Sequence, residues 1–98
     1  MNSQDELDRA YALLVQLCEQ LDTMTDTAPL CIMDAFNILA DLHVPDSLPT
    51  TEKLSQTQAL VELQRRLTGL AEGADNLRDA LALARARDLV SAALCEHP

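Results

Sequence analysis

Apolar residues recur at helical spacing along most of the chain, with polar residues on the opposite side of each segment. The first stripe consists of Leu7, Ala10, Leu14, Leu17, Cys18, Leu21 and Met24. The second consists of Cys31, Ile32, Ala35, Phe36, Ile38, Leu39 and Leu42. The third consists of Leu54, Leu60, Val61, Leu63, Leu67 and Leu70. Each stripe predicts an amphipathic helix that buries one face.

The last segment, 77–94, differs because it carries two apolar stripes on nearly opposite sides. One holds Leu77, Leu81 and Ala84, and it continues the heptad spacing of the third segment. The other holds Leu83, Ala86, Val90, Ala93 and Leu94. A helix with two stripes either lies inside a bundle or packs on its own chain with one face and on a partner with the other. We expect the second arrangement, a homodimer with Leu83, Val90 and Leu94 at its interface.

Capping residues and breakers divide the chain. Ser3 and Glu6 fit a capping box at the first helix, Asp26 or Thr27 can cap the second, and Thr51 can cap the third. The pattern predicts helices at about 4–24, 28–43, 52–72 and 75–95, with a Pro-containing linker at 44–51, in a single domain covering 1–98.

The third and fourth segments could also form one helix, because the heptad spacing passes through Gly73 without a change of phase. Such a helix of about 44 residues would be roughly 66 Å long. A compact domain of this size has a radius of gyration of only about 13 Å. We therefore favour a break near Gly73, which can end one helix while Asp75 caps the next. The alternative is three helices with a long, kinked last one.

Composition supports an all-α fold, a small antiparallel helical bundle. Tyr11 and Phe36 are the only aromatic residues. The core must therefore be aliphatic, which suits helix packing better than a sheet.

The net charge of −9 lies in the first half of the chain. Residues 1–52 contain ten acids and one base, Arg9, whereas residues 53–98 contain six of each. This balance disfavours direct binding to nucleic acid or to an anionic membrane. Asp34 and Asp41 face away from the second apolar stripe, so they are the candidate partner-binding residues. No apolar run is long enough for a membrane span, and the start is polar and acidic, so we expect a cytoplasmic protein.

Few residues could carry chemistry. Asp41, His43 and Asp46 could bind a metal ion, and so could Cys95 with His97, but a histidine at a helix end and a chain terminus are the favoured interpretations. Cys18 and Cys31 lie on apolar faces and are expected to be structural thiols. We predict no catalytic, cofactor or metal site.

The function that these features favour is that of a non-catalytic regulatory or adaptor protein that binds another protein. Length and acidity make the chain similar in type to small helical adaptors, secretion chaperones, anti-activators and phage-encoded inhibitors, although no shared motif supports this. One alternative is an acidic inhibitor or anti-activator that blocks a basic or nucleic-acid-binding surface of its partner. The second is a small metal-binding protein at His43. The high content of Arg, Ala and Leu suggests a bacterial source.

Overall fold

The protein is an all-α bundle of four helices. In a computed structural model, which describes residues 3–23, 28–47 and 53–96, the helices are α1 (Ser3–Cys18), α2 (Ala28–Leu42), α3 (Gln56–Glu72) and α4 (Leu77–Glu96). A short 3₁₀ turn, Leu21–Thr23, follows α1. The described residues contain no β-strand. The fold class expected from the sequence is thus confirmed, in its four-helix form.

Side-chain contacts between helices fix their directions. His43, just after α2, contacts Asp8 near the start of α1, and Arg66 in the second half of α3 contacts Glu6. Helices α2 and α3 are therefore both antiparallel to α1. Helix α4 follows α3 after the short turn at residues 73–76 and packs back along it, with Gln64 donating to Ser91 at 2.7 Å, so α4 is antiparallel to α3.

The helices form a ring in which α1 and α4 each pack between α2 and α3. Because α2 and α3 run in the same direction, the end of α2 and the start of α3 lie at opposite ends of the bundle. Each of the four neighbouring pairs of this ring is therefore antiparallel.

The core is aliphatic, as the composition predicts. Its largest fully buried side chains are Leu14, Leu17, Ile32, Leu39, Leu63, Leu67 and Val90. The two aromatic rings, Tyr11 and Phe36, lie at the core edge with their centroids 5.0 Å apart. Among the described residues, no polar or charged one is buried. Stability therefore rests on the burial of leucine and alanine faces.

A turn separates α3 from α4, as the sequence favours. Gly73 is the C-cap of α3, and its N–H donates to Gly69 O at 3.0 Å. The cap of α4 is Asn76 rather than the predicted Asp75. Asn76 Oδ1 accepts from the Asp79 N–H at 2.8 Å, so it satisfies one of the free amides of the first turn.

The cap of α3 also differs from the prediction, whereas the predicted caps of α1 and α2 are not tested. Helix α3 begins at Gln56, and Ser55 caps it through a capping box with Gln58, whereas the predicted cap Thr51 lies outside the described residues. The Ser3 side chain and residues 24–27, which include both expected caps of α2, lie outside them too. Glu6, the expected partner of Ser3, accepts a hydrogen bond from Arg66.

Candidate interaction surfaces

The residues predicted to form a dimer interface are placed in the core instead. Leu83 is 3% exposed and Val90 is 0% exposed, while Leu94 is half-buried and packs against the same core. Helices α2 and α3 cover this stripe from two sides. The assignment of Leu83, Val90 and Leu94 to an interface between chains is therefore corrected. The homodimer itself stays a prediction that needs another surface.

The opposite stripe of α4 faces outward. Leu77 is 73% exposed and Leu81 is 61% exposed. The heptad series that faces the core in α3 therefore does not face the core in α4. The turn at residues 73–76 changes which side of the helix meets the core. Sequence spacing alone could not decide between the two stripes.

Helix α2 presents a second outward surface, which we name the α2 outer face. Its members are exposed and recur at spacings of three or four residues, so they form one continuous stripe. The α2 outer face consists of Leu30, Met33, Asp34, Asn37, Asp41 and, just after the helix, Val44. The predicted partner-binding residues Asp34 and Asp41 thus share a face with three exposed apolar side chains.

The electrostatics of the α2 outer face are acidic. Segment 28–47 carries Asp34, Asp41 and Asp46 and no lysine or arginine. Its one histidine, His43, is half-buried, and its Nε2 lies 2.8 Å from Asp8 Oδ1. A partner approaching α2 therefore meets carboxylates beside apolar side chains, with no cation of α2 itself among them.

The side chains considered as metal ligands do not form a cluster in the part of the chain that the structure describes. No group of three or more His, Cys, Asp or Glu side chains able to hold a metal ion occurs within residues 3–23, 28–47 and 53–96. His43 pairs with Asp8 on α1, as a histidine at a helix end can, rather than joining Asp41 and Asp46 in such a group. Cys95 is exposed, and His97 lies outside the described residues.

The cysteines form no disulfide with one another. Cys18 and Cys31 are half-buried, as expected from their positions on apolar faces. Burial raises the pKa of the Cys18 thiol, which keeps it protonated and weakly nucleophilic at neutral pH.

The arginines of α3 are neutralised by ion pairs. Arg65 and Arg66 both contact Glu62, and Arg66 also lies 2.6 Å from Glu6. A hydrogen bond from Arg65, together with the charges of both arginines and a hydrogen bond from Arg66, holds the pKa of the Glu62 carboxyl below its usual value, although burial opposes this by raising it. This part of the surface is therefore a fold-stabilising network.

A cleft of about 890 Å³ opens where the start of α1, the end of α2 and the α3–α4 turn meet. Leucines line it, among them Leu7, Leu42 and Leu70, and the Glu6–Arg66 ion pair lies along it. The cations and anions around it largely oppose each other, so the cleft shows no clear preference for a charged ligand.

Comparison with protein-family models, with curated proteins and with solved structures finds no match. Within the described part of the chain, no helix is both long enough and apolar enough to cross a membrane.

Proposed function

We propose that this is a non-catalytic regulatory or adaptor protein that binds another protein through the α2 outer face. The observation that carries the proposal is the combination of exposed Leu30 and Met33 with Asp34 and Asp41 on one stripe. Exposed apolar clusters rimmed by polar groups mark binding surfaces. The partner surface that fits is an apolar patch bordered by lysine or arginine.

The two chemistries on the α2 outer face have different roles in this proposal. Apolar side chains supply affinity when they leave water, at roughly 25 cal/mol per Å² of buried area. Carboxylates add mainly association rate and specificity, because they attract basic surfaces and repel acidic ones. Segment 28–47 contains no lysine or arginine, so its charge favours basic partner surfaces only.

A second candidate is an inhibitor that occupies a nucleic-acid-binding surface of its partner. The observation that favours it is the charge of residues 1–52, ten acids against Arg9. A surface that binds phosphates is rich in lysine and arginine, so an acidic protein can compete for it. In this case charge would dominate binding and the apolar side chains of α2 would matter less.

The test is affinity capture from cells of the native host with three forms of the protein. The first is the wild type, and the second is Asp34→Lys/Asp41→Lys. The third is Glu19→Lys/Glu72→Lys, which reverses two exposed acids, one just after α1 and one at the end of α3. It changes the net charge by the same amount as the second form. All four substituted positions are exposed, so circular dichroism should show the same helix content in all three forms.

The proposal expects a protein that the wild type and the Glu19/Glu72 variant capture and the Asp34/Asp41 variant does not. Equal capture by all three forms would contradict it. A salt titration of the complex then separates the two candidates. Binding that survives moderate salt and weakens with Met33→Ser supports the adaptor, whereas binding that collapses with salt and competes with nucleic acid supports the inhibitor.

A further inference from the structure

The outward side of α4 forms a surface that the proposed function does not use. Six exposed residues recur along the helix and fall within an arc of about 80° at 3.6 residues per turn. We name this surface the α4 outer face; it consists of Leu77, Leu81, Arg85, Asp88, Ala92 and Cys95. Leu77 and Leu81 are the most exposed large apolar side chains of α4, at 73% and 61%.

The charges on the α4 outer face are only partly satisfied within the chain. Asp88 contacts its neighbour Arg87 at 3.2 Å, an exposed pair of adjacent residues. Arg85 has no ion-pair partner within the part of the chain that the structure describes. The face thus holds one cation and one anion, three residues apart, on either side of the middle of the helix.

We propose that the α4 outer face binds a second copy of this chain, with the two α4 helices antiparallel. A twofold axis at the height of Ala86 and Arg87 would place Arg85 opposite Asp88 of the second copy, and Asp88 opposite its Arg85. The same axis places Leu81 opposite Ala92 of the second copy, so a large side chain meets a small one. The face is therefore self-complementary in both charge and size, which a twofold interface requires.

The distribution of charge favours self-association through the second half of the chain, which contains this face, over the first half. Two copies that approached through residues 1–52 would bring together two acidic surfaces, each with nine more acids than bases. Residues 53–98 contain equal numbers of acids and bases. Self-association through α4 therefore avoids most of the repulsion that the net charge imposes.

The dimer is expected to be weak. A 20-residue helix is about 30 Å long, and one helical face offers less than the roughly 800 Å² per partner of a standard interface. The exposed Arg85–Asp88 pairs fix how the two helices align and add little affinity. The dissociation constant should consequently lie in the micromolar range or above, and the protein should change from monomer to dimer as concentration rises.

Sedimentation velocity over a range from micromolar to millimolar protein tests the proposal. The wild type should shift from monomer to dimer, and Leu81→Asp should remain monomeric. Val61→Asp is the matched control, because Val61 is also an exposed apolar residue but lies on α3. Arg85→Glu should weaken the dimer at least several-fold, and the charge swap Arg85→Glu/Asp88→Arg should restore it.

Disulfide trapping tests the orientation. In the antiparallel dimer, Leu77→Cys lies one residue from the position opposite Cys95 of the second copy, so copper-phenanthroline as oxidant should join residues 77 and 95 across the interface. A parallel dimer would instead join Cys95 to Cys95 in the wild type. Mass spectrometry of peptides identifies the bond, and adding Cys95→Ser should abolish it.

A wild type that is monomeric at every concentration, or a dimer that Leu81→Asp leaves intact, would overturn the proposal. A bond between the two Cys95 residues as the main product would overturn the antiparallel arrangement. These results are independent of partner capture by the α2 outer face, because the two faces share no residue.

Discussion

The two leucines Leu81 and Leu83 give the sharpest test of how α4 packs. They are two residues apart on one helix, yet Leu83 is 3% exposed and Leu81 is 61% exposed. Replacing either with alanine makes the same chemical change and has the same effect on helix propensity. A difference in stability between the two variants therefore reports only on which side of α4 meets the core.

The expected difference follows from burial. Leu→Ala removes three carbon atoms, worth about 0.8 kcal/mol each when fully buried, or about 2.4 kcal/mol before any cavity forms. Since the cavity adds to this, Leu83→Ala should lower the free energy of unfolding by about 2–5 kcal/mol. Leu81 is only two-fifths covered and would leave no cavity, so Leu81→Ala should cost less than about 1 kcal/mol.

Urea unfolding followed by circular dichroism measures both values. Protein concentration is kept low, so that self-association does not contribute to stability. A small domain has only about 5–15 kcal/mol of stability, so Leu83→Ala is expected to show a clearly lower midpoint or partial unfolding without urea. Equal losses in the two variants, or a larger loss for Leu81→Ala, would refute the packing of α4.

Two further predictions concern local interactions. Asn76→Ala should destabilise the protein by about 0.5–2 kcal/mol because it removes the side-chain cap of α4, whereas the control Asp75→Ala should change the unfolding midpoint little; equal effects would contradict the assignment. Glu62→Gln should lower stability by less than about 1 kcal/mol at neutral pH. The pKa of Glu62 is depressed in the folded state, so its contribution is complete above the usual glutamate pKa and is lost as the pH falls. Urea midpoints of the wild type and Glu62→Gln should therefore converge in acid, and a gap that persists there would contradict the ion pair.

The sequence predicts the helices with one apolar stripe well. Leu14 and Leu17 on α1 and Ile32 and Leu39 on α2 are fully buried, as their spacing indicates. Spacing is informative here because each helix has only one side that can meet a core. Val61 is an exception, since it lies at the edge of the α3 stripe and is 49% exposed.

The sequence could not decide which stripe of α4 is buried. Both stripes carry leucine, and the choice depends on how the turn at residues 73–76 rotates α4 relative to α3. The sequence pattern also misplaces the caps of α3 and α4, for a related reason. Ser, Thr, Asp and Asn all cap helices, and where two stand near each other, as Asp75 and Asn76 do, only the backbone geometry selects one.

The exposure of Asp34 and Asp41 was predictable, because both stand opposite the buried stripe of α2. The sequence pattern does not identify the apolar part of the α2 outer face. Leu30 and Met33 lie next to the predicted stripe in sequence, and single-helix spacing does not show how wide a strip the neighbouring helices cover. Only the arrangement of α1 and α4 around α2 leaves these two side chains outside.

Site-specific photo-cross-linking in cells of the native host tests whether the α2 outer face contacts another protein. A photoreactive amino acid is placed at Asn37, in the middle of that face, and in a second strain at Glu72, an exposed position on α3. Light is expected to join the Asn37 form, and not the Glu72 form, to a different protein. No adduct at Asn37, or the same adduct in equal amount from both positions, would contradict it.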